Sequence, residues 1–378
     1  MKKCIVINRI PLGEEGKLRR KHYEQVETFI DLGFDTYYVG YDDSKCYLVH
    51  NGEKKFICDA SLHGYKSYKA MFKAVKYACK KYGPFDIAYM RMIPAFPGLI
   101  SFLKSIRPSC ESIVYEFPTY PYDGENGKRV FSVRNIAKYS DRICRKKLKK
   151  YVDLSIVFTD ELESLFGIPT IVLRNGIIVD KYRLKSNLPS DKIEILCMGK
   201  LQNWHGYDRI IAGAIEYKKT HADIPFKLHI IGDGNARALL IEQAKSGGLD
   251  ETIIDFPGIV VGNELDDYFD KCSIAIESLG MHRLNLKYSS TLKSREYLAR
   301  GIPFAYTLHI PGIDDECDYC YKIPVDESPV DMEKLLKWEG SLKSDVGMRM
   351  RKHAKNEFSW KSQFTIMLNH LEQMRGKE

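Results

Sequence analysis

Short apolar runs alternate with longer stretches of helical period along most of this chain. Cys4–Ile7 is an unbroken apolar run rich in β-branched residues, the pattern of a strand buried on both faces. Lys17–Leu32 then repeats apolar residues at helical spacing, with Val26, Phe29 and Ile30 on one face, and Gly33 stops it. The pattern predicts further strands at Thr36–Gly40, Phe56–Cys58, Asp86–Arg91, Ser112–Glu116, Leu154–Phe158 and Thr170–Leu173. Helices are predicted between them at Tyr65–Tyr82, Pro97–Ile106 and Val133–Tyr151. The polar, proline-containing stretch Lys185–Lys192 interrupts the alternation and reads as a boundary.

A second alternation follows. Strands are expected at Ile193–Met198, Phe226–Ile231, Ile253–Phe256, Ile274–Glu277 and Phe304–Thr307. Helices are expected at Tyr207–Thr220, Ala236–Ser246, Glu264–Lys271 and Leu292–Arg300, and the tail Asp345–Gln373 again has helical spacing. Strands alternating with helices predict α/β architecture, here two doubly wound, Rossmann-like domains facing a cleft. The expected divisions are 1–184, 185–344 and a helical tail 345–378.

Composition narrows the function classes. Length 378 exceeds one ordinary domain, which agrees with two. Net charge is +8, a mild basic excess that suits anionic ligands or an anionic membrane surface. No basic, aromatic-rich module accompanies it, so nucleic acid is not an expected partner. The ten cysteines are scattered, and Cys317 and Cys320 have no second pair or histidine at ligand spacing, so no metal is expected. Cys4, Cys197 and Cys272 sit in apolar runs as small buried thiols, the usage of a reducing compartment. No apolar stretch reaches membrane-spanning length, and a cytoplasmic location is expected.

Ligands of open α/β sheets bind beyond the C-terminal strand ends. In the second half those ends carry Gly199-Lys200, Trp204-His205-Gly206-Tyr207-Asp208, Gly232-Asp233-Gly234, and Ser289-Ser290-Thr291 before the helix of Leu292, Lys293 and Glu296. Glycine lets backbone amides approach an anion, and a helix N-terminus offers unpaired donors. Lys200, His205 and Lys293 add charge for a diphosphate. Lys293 and Glu296, three apart, share a helix face, where the carboxylate suits a ribose diol. The alternative for that pair is an exposed helix ion pair, and for Gly-Asp-Gly an ordinary tight turn.

The series GKLQNWHGYDRII, LHIIGDG, FPGIVVGNELDDYFDKCSIAI and LKSREYLARGIPFAY resembles, in order and spacing, the donor-binding half of GT-B glycosyltransferases, in particular the large retaining family 4. It covers roughly residues 194–307. The resemblance implies transfer of a hexose-type sugar from a UDP- or GDP-linked donor, with retention and without metal. It implies that Lys200 contacts the diphosphate and that Glu296, the second glutamate of a Glu-x7-Glu motif, binds the ribose. The catalytic set is then Lys200, Lys293 and Glu296. Gly199, Lys200, His205, Gly232, Gly234, Ser289, Ser290, Thr291, Leu292, Lys293 and Glu296 would bind the nucleotide. Two positions depart from the family: His205 stands where many members have lysine, and Tyr288 stands where the first glutamate belongs. Glu277, at a strand end, is the nearest acidic substitute.

The first half matches more loosely. Gly13, Gly16, Arg91, Glu116, Thr119, Tyr120 and Tyr122 follow strands and are the candidates for acceptor contact. The family often has a histidine after the Glu116 strand, and none stands there. His22 reads as a surface or satisfied histidine. Arg174-Asn175-Gly176 resembles the family's Asn-Gly stretch before the linker, although a turn explains it equally. The basic run Arg142, Arg145, Lys146, Lys147, Lys149 and Lys150, with Lys17, Arg19, Arg20 and Lys21, reads as a solvated helix face or as a surface for anionic lipid. A glycan or lipid-linked acceptor in surface polysaccharide synthesis, with peripheral membrane placement, is the leading expectation. A GT-B-shaped sugar-nucleotide 2-epimerase and a non-catalytic sugar-nucleotide-binding protein are the alternatives. A dinucleotide oxidoreductase is disfavoured, because no G-x-G-x-x-G follows the first strand.

Overall fold

The computed structural model describes residues 1–12, 17–63, 65–118, 120, 133–158, 162–186, 190–289 and 291–376. The chain divides into two compact units, Met1–Leu173 with Trp360–Glu378, and Arg174–Ser359. The break therefore falls at Leu173/Arg174, earlier than the polar stretch at Lys185. The tail read as one segment is shared between the units.

In the first unit the elements run β1 (Lys3–Pro11), α1 (Lys17–Asp31), β2 (Asp35–Asp42), β3 (Lys45–His50), β4 (Glu53–Asp59), α2 (Tyr65–Tyr82), β5 (Phe85–Arg91) and α3 (Pro97–Ile106). They continue with β6 (Cys110–Phe117), α4 (Val133–Cys144), β7 (Leu154–Val157), β8 (Ser164–Leu165) and β9 (Ile168–Val172). The nine strands are ordered β4-β3-β2-β1-β5-β6-β7-β9-β8. The pairs from β2 through β1, β5, β6 and β7 to β9 are parallel. The edges depart from the expected parallel pattern: β2-β3-β4 is an antiparallel meander and β8 pairs antiparallel with β9. Strand β3 was not among the predicted elements. Its signal is Asn51-Gly52, both at positive φ (48° and 80°), a two-residue hairpin turn. The predicted helix Val133–Tyr151 ends at Cys144 and continues as a 3-10 stretch, Arg145–Lys150. Ile30, expected on the apolar face of α1, is 50% exposed.

The second unit contains β10 (Ile193–Met198), α5 (Tyr207–Thr220), β11 (Phe226–Ile231), α6 (Arg237–Ser246), β12 (Ile254–Gly258), α7 (Asn263–Lys271) and β13 (Ile274–Ile276). After these come α8 (Leu292–Arg300), β14 (Phe304–Tyr306), β15 (Cys320–Lys322), α9 (Met332–Glu339) and α10 (Val346–Glu357). Helix α11 (Trp360–Arg375) belongs to the first unit, where Phe364 packs on Phe29 with ring centroids 4.6 Å apart. The second sheet is ordered β12-β11-β10-β13-β14-β15 and is parallel throughout. Ile195 and Cys197 of β10 join one apolar cluster, Leu196 and Met198 the other, so the strand is covered on both faces. That is why it reads as a continuous apolar run rather than an alternating one.

Strand order reverses between β1 and β5 in the first sheet and between β10 and β13 in the second. In open α/β sheets the crevice at such a reversal is where ligands bind. Among the described residues no helix is long and apolar enough to cross a membrane.

Candidate active site

Four glycines let backbone segments meet at the β10/β13 reversal. A Cβ added to Gly232 (φ 125°) would stand 1.9 Å from the Gly199 carbonyl oxygen, and one on Gly234 (φ 155°) 2.2 Å from that of Leu201. A Cβ on Gly206 (φ 64°) would meet the Gly280 amide nitrogen at 2.4 Å, and one on Gly199 the His205 ring at 2.9 Å. No side chain fits these positions, so the glycines bring the loops after β10, β11 and β13 together.

Several of their amides are already engaged. Gly199 N–H donates to Ile231 O (3.0 Å), Gly232 N–H to Gly258 O (2.6 Å) and Gly234 N–H to Asp233 Oδ1 (2.8 Å). Ser289 N–H donates to His309 O (2.9 Å). The Ser289 amide, expected to face phosphate, is thus committed to the protein. Ser290 lies outside the described residues.

The charged groups divide between surface and interior. Lys200 is exposed and Leu292 is 38% exposed. Lys293 is 9% exposed, and its Nζ donates to Ser278 Oγ (2.9 Å) and Tyr207 Oη (3.2 Å). Tyr207 Oη in turn donates to Met198 O at 2.7 Å. One ammonium therefore ties α8 to the end of β10, the start of α5 and the segment after β13. Burial pushes the nearby Cys197 thiol pKa up, opposed by the Lys293 charge. Glu296 turns elsewhere. Its Oε1 accepts from Arg300 Nε at 3.0 Å, and Arg300 Nη1 lies 2.5 Å from Asp266 Oδ1. The two α8 residues do not form the Lys293–Glu296 ion pair, nor do their charged ends converge here.

Thr291 caps α8. Its Oγ1 accepts from Ser294 N–H (3.5 Å) and donates to Glu277 Oε1. Gly301 ends the helix in the left-handed conformation (φ 71°), before Ile302-Pro303. Glu277 is 1% exposed and also accepts from Ser278 N–H. His205 Nδ1 accepts from Gln202 N–H (3.2 Å), which puts the proton of a neutral ring on Nε2, toward Gly199. Its backbone oxygen accepts from Leu279 N–H at 2.8 Å.

Arg283 completes the site and was not among the predicted residues. It donates from Nη1 and Nη2 to Asp208 Oδ1 and Oδ2 (3.0 and 2.8 Å) and from Nη1 to Asn203 O (2.6 Å). It also pairs with Glu327, whose carboxyl Arg283 and then His282 hold down at about 2. The loop after β13 that carries Arg283 is thereby pinned to the turn carrying His205. Its only sequence signal is an arginine in a loop, since Asp208 is 75 residues away.

The first-unit candidates are only partly within the described residues. Gly13, Gly16, Thr119 and Tyr122 lie outside the described residues. Tyr120 packs edge-on against Phe166, centroids 6.4 Å apart. Glu116, expected to meet an acceptor, is fully buried. It accepts from Gln25 (2.7 Å), Tyr89 and Arg91 (3.0 Å), and Lys21 Nζ lies 3.3 Å away. Burial alone would raise its pKa, but Lys21 and Arg91, then the Tyr89 and Gln25 hydrogen bonds, hold it down to about 2. Lys21 is consequently a buried partner and not part of a basic face. His22 is not on the surface: it is 7% exposed, and among the described residues neither ring nitrogen has a partner. Arg142, Lys146, Lys147, Lys149 and Lys150 are exposed, while Arg145 is half-buried beside Asp141 (3.6 Å). The side chains of Lys17, Arg19 and Arg20 lie outside the described set. Among the described residues no His, Cys, Asp and Glu side chains group to hold a metal ion.

No protein-family profile and no curated protein matches the sequence. Solved structures do match the fold. Sucrose-phosphate synthase from Thermosynechococcus elongatus superposes with TM-score 0.65 at 13% identity, over 100% of both chains. A glycosyltransferase from Rickettsia africae gives 0.66 at 13% identity, also over 100% of both. HepE from Anabaena, in complex with UDP and glucose, gives 0.56 at 12% identity over 99% of this chain and 100% of its own. The chain thus has the two-sheet α/β fold of GT-B glycosyltransferases.

Proposed function

We propose that the protein is a glycosyltransferase that moves a hexose-type sugar from a UDP- or GDP-linked donor, bound by the second unit, to a glycan or lipid-linked acceptor. The observation that carries this reading is the glycine-lined meeting of three strand-end loops at the β10/β13 reversal, beside Lys200, His205 and Lys293. The fold likeness to glycosyltransferases supports it, and the UDP and glucose named with HepE support a uridine donor.

Glycosyl transfer develops oxocarbenium character on the sugar and negative charge on the departing diphosphate. Positioned donors facing that charge are the largest contribution a protein can make. In this reading Lys200 meets the diphosphate from the surface. Lys293 reaches it by exchanging its bond to Ser278 or Tyr207, and Glu296 takes the ribose diol by releasing Arg300. The acceptor hydroxyl attacks on the leaving-group face, with retention. No metal is required.

The exposed cations of the Arg142–Lys150 stretch stand beside exposed Tyr139 (70%) and Ile143 (51%), which favours an anionic membrane surface in pathways of surface polysaccharide synthesis. In this reading the first unit takes the acceptor and the second the donor, divided at Leu173/Arg174 rather than at the expected 184/185.

Thermal-shift titration with UDP and GDP tests the donor site, because ligand binding to the folded state raises apparent stability. Lys293→Ala and Glu296→Ala should each reduce transfer at least about a hundredfold, the loss of roughly 2.7 kcal/mol of transition-state stabilisation. Near-normal transfer by both folded variants would sink the assignment.

A further inference from the structure

The reversal between β1 and β5 in the first unit carries its own crevice, distinct from the nucleotide site of the second unit. A cavity of about 310 Å³ lies there, lined among others by Asn8, Arg9, His22, Tyr68, Arg91 and Ile93. That volume is at the lower end for small-molecule sites, roughly 300–1,000 Å³. Among the described residues that line it there is no carboxylate.

Its polar groups are held in place from behind. Arg9 lies 4.2 Å over the Tyr68 ring and donates to Leu62 O (3.3 Å) and Ser67 Oγ (3.1 Å). Arg91 is anchored by Glu116, whose single charge is shared with Lys21. One carboxylate against Arg9, Arg91 and Lys21 leaves the crevice with an excess of positive charge. His22 lines the same cavity, and both its ring nitrogens are buried with no partner among the described residues. Buried polar atoms in folded proteins almost always have a partner, so an orphaned ring in the wall of a cavity points to a ligand. Burial and then Arg91 lower the His22 pKa to about 4, against the pull of Glu116. The ring is therefore neutral at pH 7 and offers one donor and one acceptor, the complement of a hydroxyl group.

We propose that this crevice binds a monosaccharide-sized anion, a sugar bearing a phosphate or carboxylate group, with Arg9 and Arg91 taking its charge and His22 a hydroxyl. In the glycosyltransferase reading, on which only this role rests, it is the charged sugar of the acceptor.

Calorimetry on the full chain tests it with glucose 6-phosphate, mannose 6-phosphate, glucuronate, glucose and inorganic phosphate. At least one charged sugar should bind tenfold or more tightly than glucose and than inorganic phosphate. Whether phosphate or carboxylate is preferred separates the two sources of charge. Arg9→Met should weaken that binding at least tenfold, and His22→Phe, which fills the cavity, should abolish it. Both variants should keep the UDP affinity and melting temperature of the parent, which shows that they are folded. Equal binding of glucose, equal binding of inorganic phosphate, no binding of any charged sugar, or an unaffected Arg9→Met would overturn the proposal. Charged-sugar binding with neither UDP nor GDP bound would fail the glycosyltransferase reading alone, while UDP or GDP binding without charged-sugar binding would fail this site alone.

Discussion

Arg283 and Asp208 face each other fork to fork, with Nη1 and Nη2 at 3.0 and 2.8 Å from the two carboxylate oxygens. The pair clamps the loop after β13 onto the first turn of α5, next to His205. The Arg283 side chain is 15% exposed and that of Asp208 41%, so the contact is partly shielded and geometrically specific. Arg283→Ala should therefore loosen the loop, with a stability loss of about 1–2 kcal/mol. Transfer should fall about tenfold, mainly through a raised KM for the donor. Arg283→Lys should recover only part of it, because a point charge cannot reproduce two parallel bonds. Steady-state kinetics and thermal melting of the two variants check this; unchanged kinetics in Arg283→Ala would detach the loop from the site.

Arg295 is a buried cation whose three guanidinium nitrogens have no hydrogen-bond partner among the described residues. Its guanidinium lies 3.8 Å from the Phe358 ring centroid, and burial, then the Arg174 charge, lower its pKa to about 9 despite Glu277. A shape-matched apolar side chain should be tolerated or better there. Arg295→Met is expected to leave stability unchanged or raise it by about 1–3 kcal/mol. A marked drop in the denaturant midpoint would show that the guanidinium stabilises the fold in a way its contacts do not reveal.

Gly232 combines a positive φ with a contact that no Cβ can make, 1.9 Å from the Gly199 carbonyl oxygen. The neighbour is backbone and cannot swing aside. Gly232→Ala should cost more than about 2 kcal/mol, through strain at the special backbone conformation and displaced strand ends. UDP affinity should fall with it. A soluble variant with parental melting temperature and UDP binding would contradict the close approach of β10 and β11 loops.

Acid sensitivity should arise in the first unit from two groups of the same sign. His22 has a folded pKa of about 4, below its ordinary value of 6.5, so the unfolded chain binds more protons as pH falls between them. Stability is lost over that window. Glu116, at about 2 against 4.5, contributes stability that is present above pH 4.5 and lost as pH falls toward 2. Each shift corresponds to roughly 3 kcal/mol at most. Urea melts of the parent and of His22→Phe between pH 4 and 7 check the first: the variant should show a flatter pH dependence, and parallel curves would remove His22 from the account.

Much of the fold was legible because buried parallel strands need apolar runs on both faces, and helices need a 3.6-residue period. Ile193–Met198 and Leu292–Arg300 have the bounds the pattern predicted, since strand and helix limits are set by neighbouring residues and by caps such as Thr291 and Gly301. The β3 hairpin was missed because its Asn51-Gly52 turn is a local signal inside an otherwise parallel expectation. Strand order is not local, and so neither reversal point was readable.

The same division holds for the chemistry. The sequence by itself determined which chemical groups stand at the strand ends: the glycines, Lys200, His205, Lys293 and Glu296. Only the tertiary structure decided which way they face. Lys293 and Glu296 are three residues apart, yet one side chain is drawn inward by Ser278 and Tyr207 and the other by Arg300. His22, unremarkable in sequence, becomes a buried ring with no partner among the described residues because α1 lays it against the ends of β1 and β5. Side-chain direction depends on partners distant along the chain, and only packing brings those partners near.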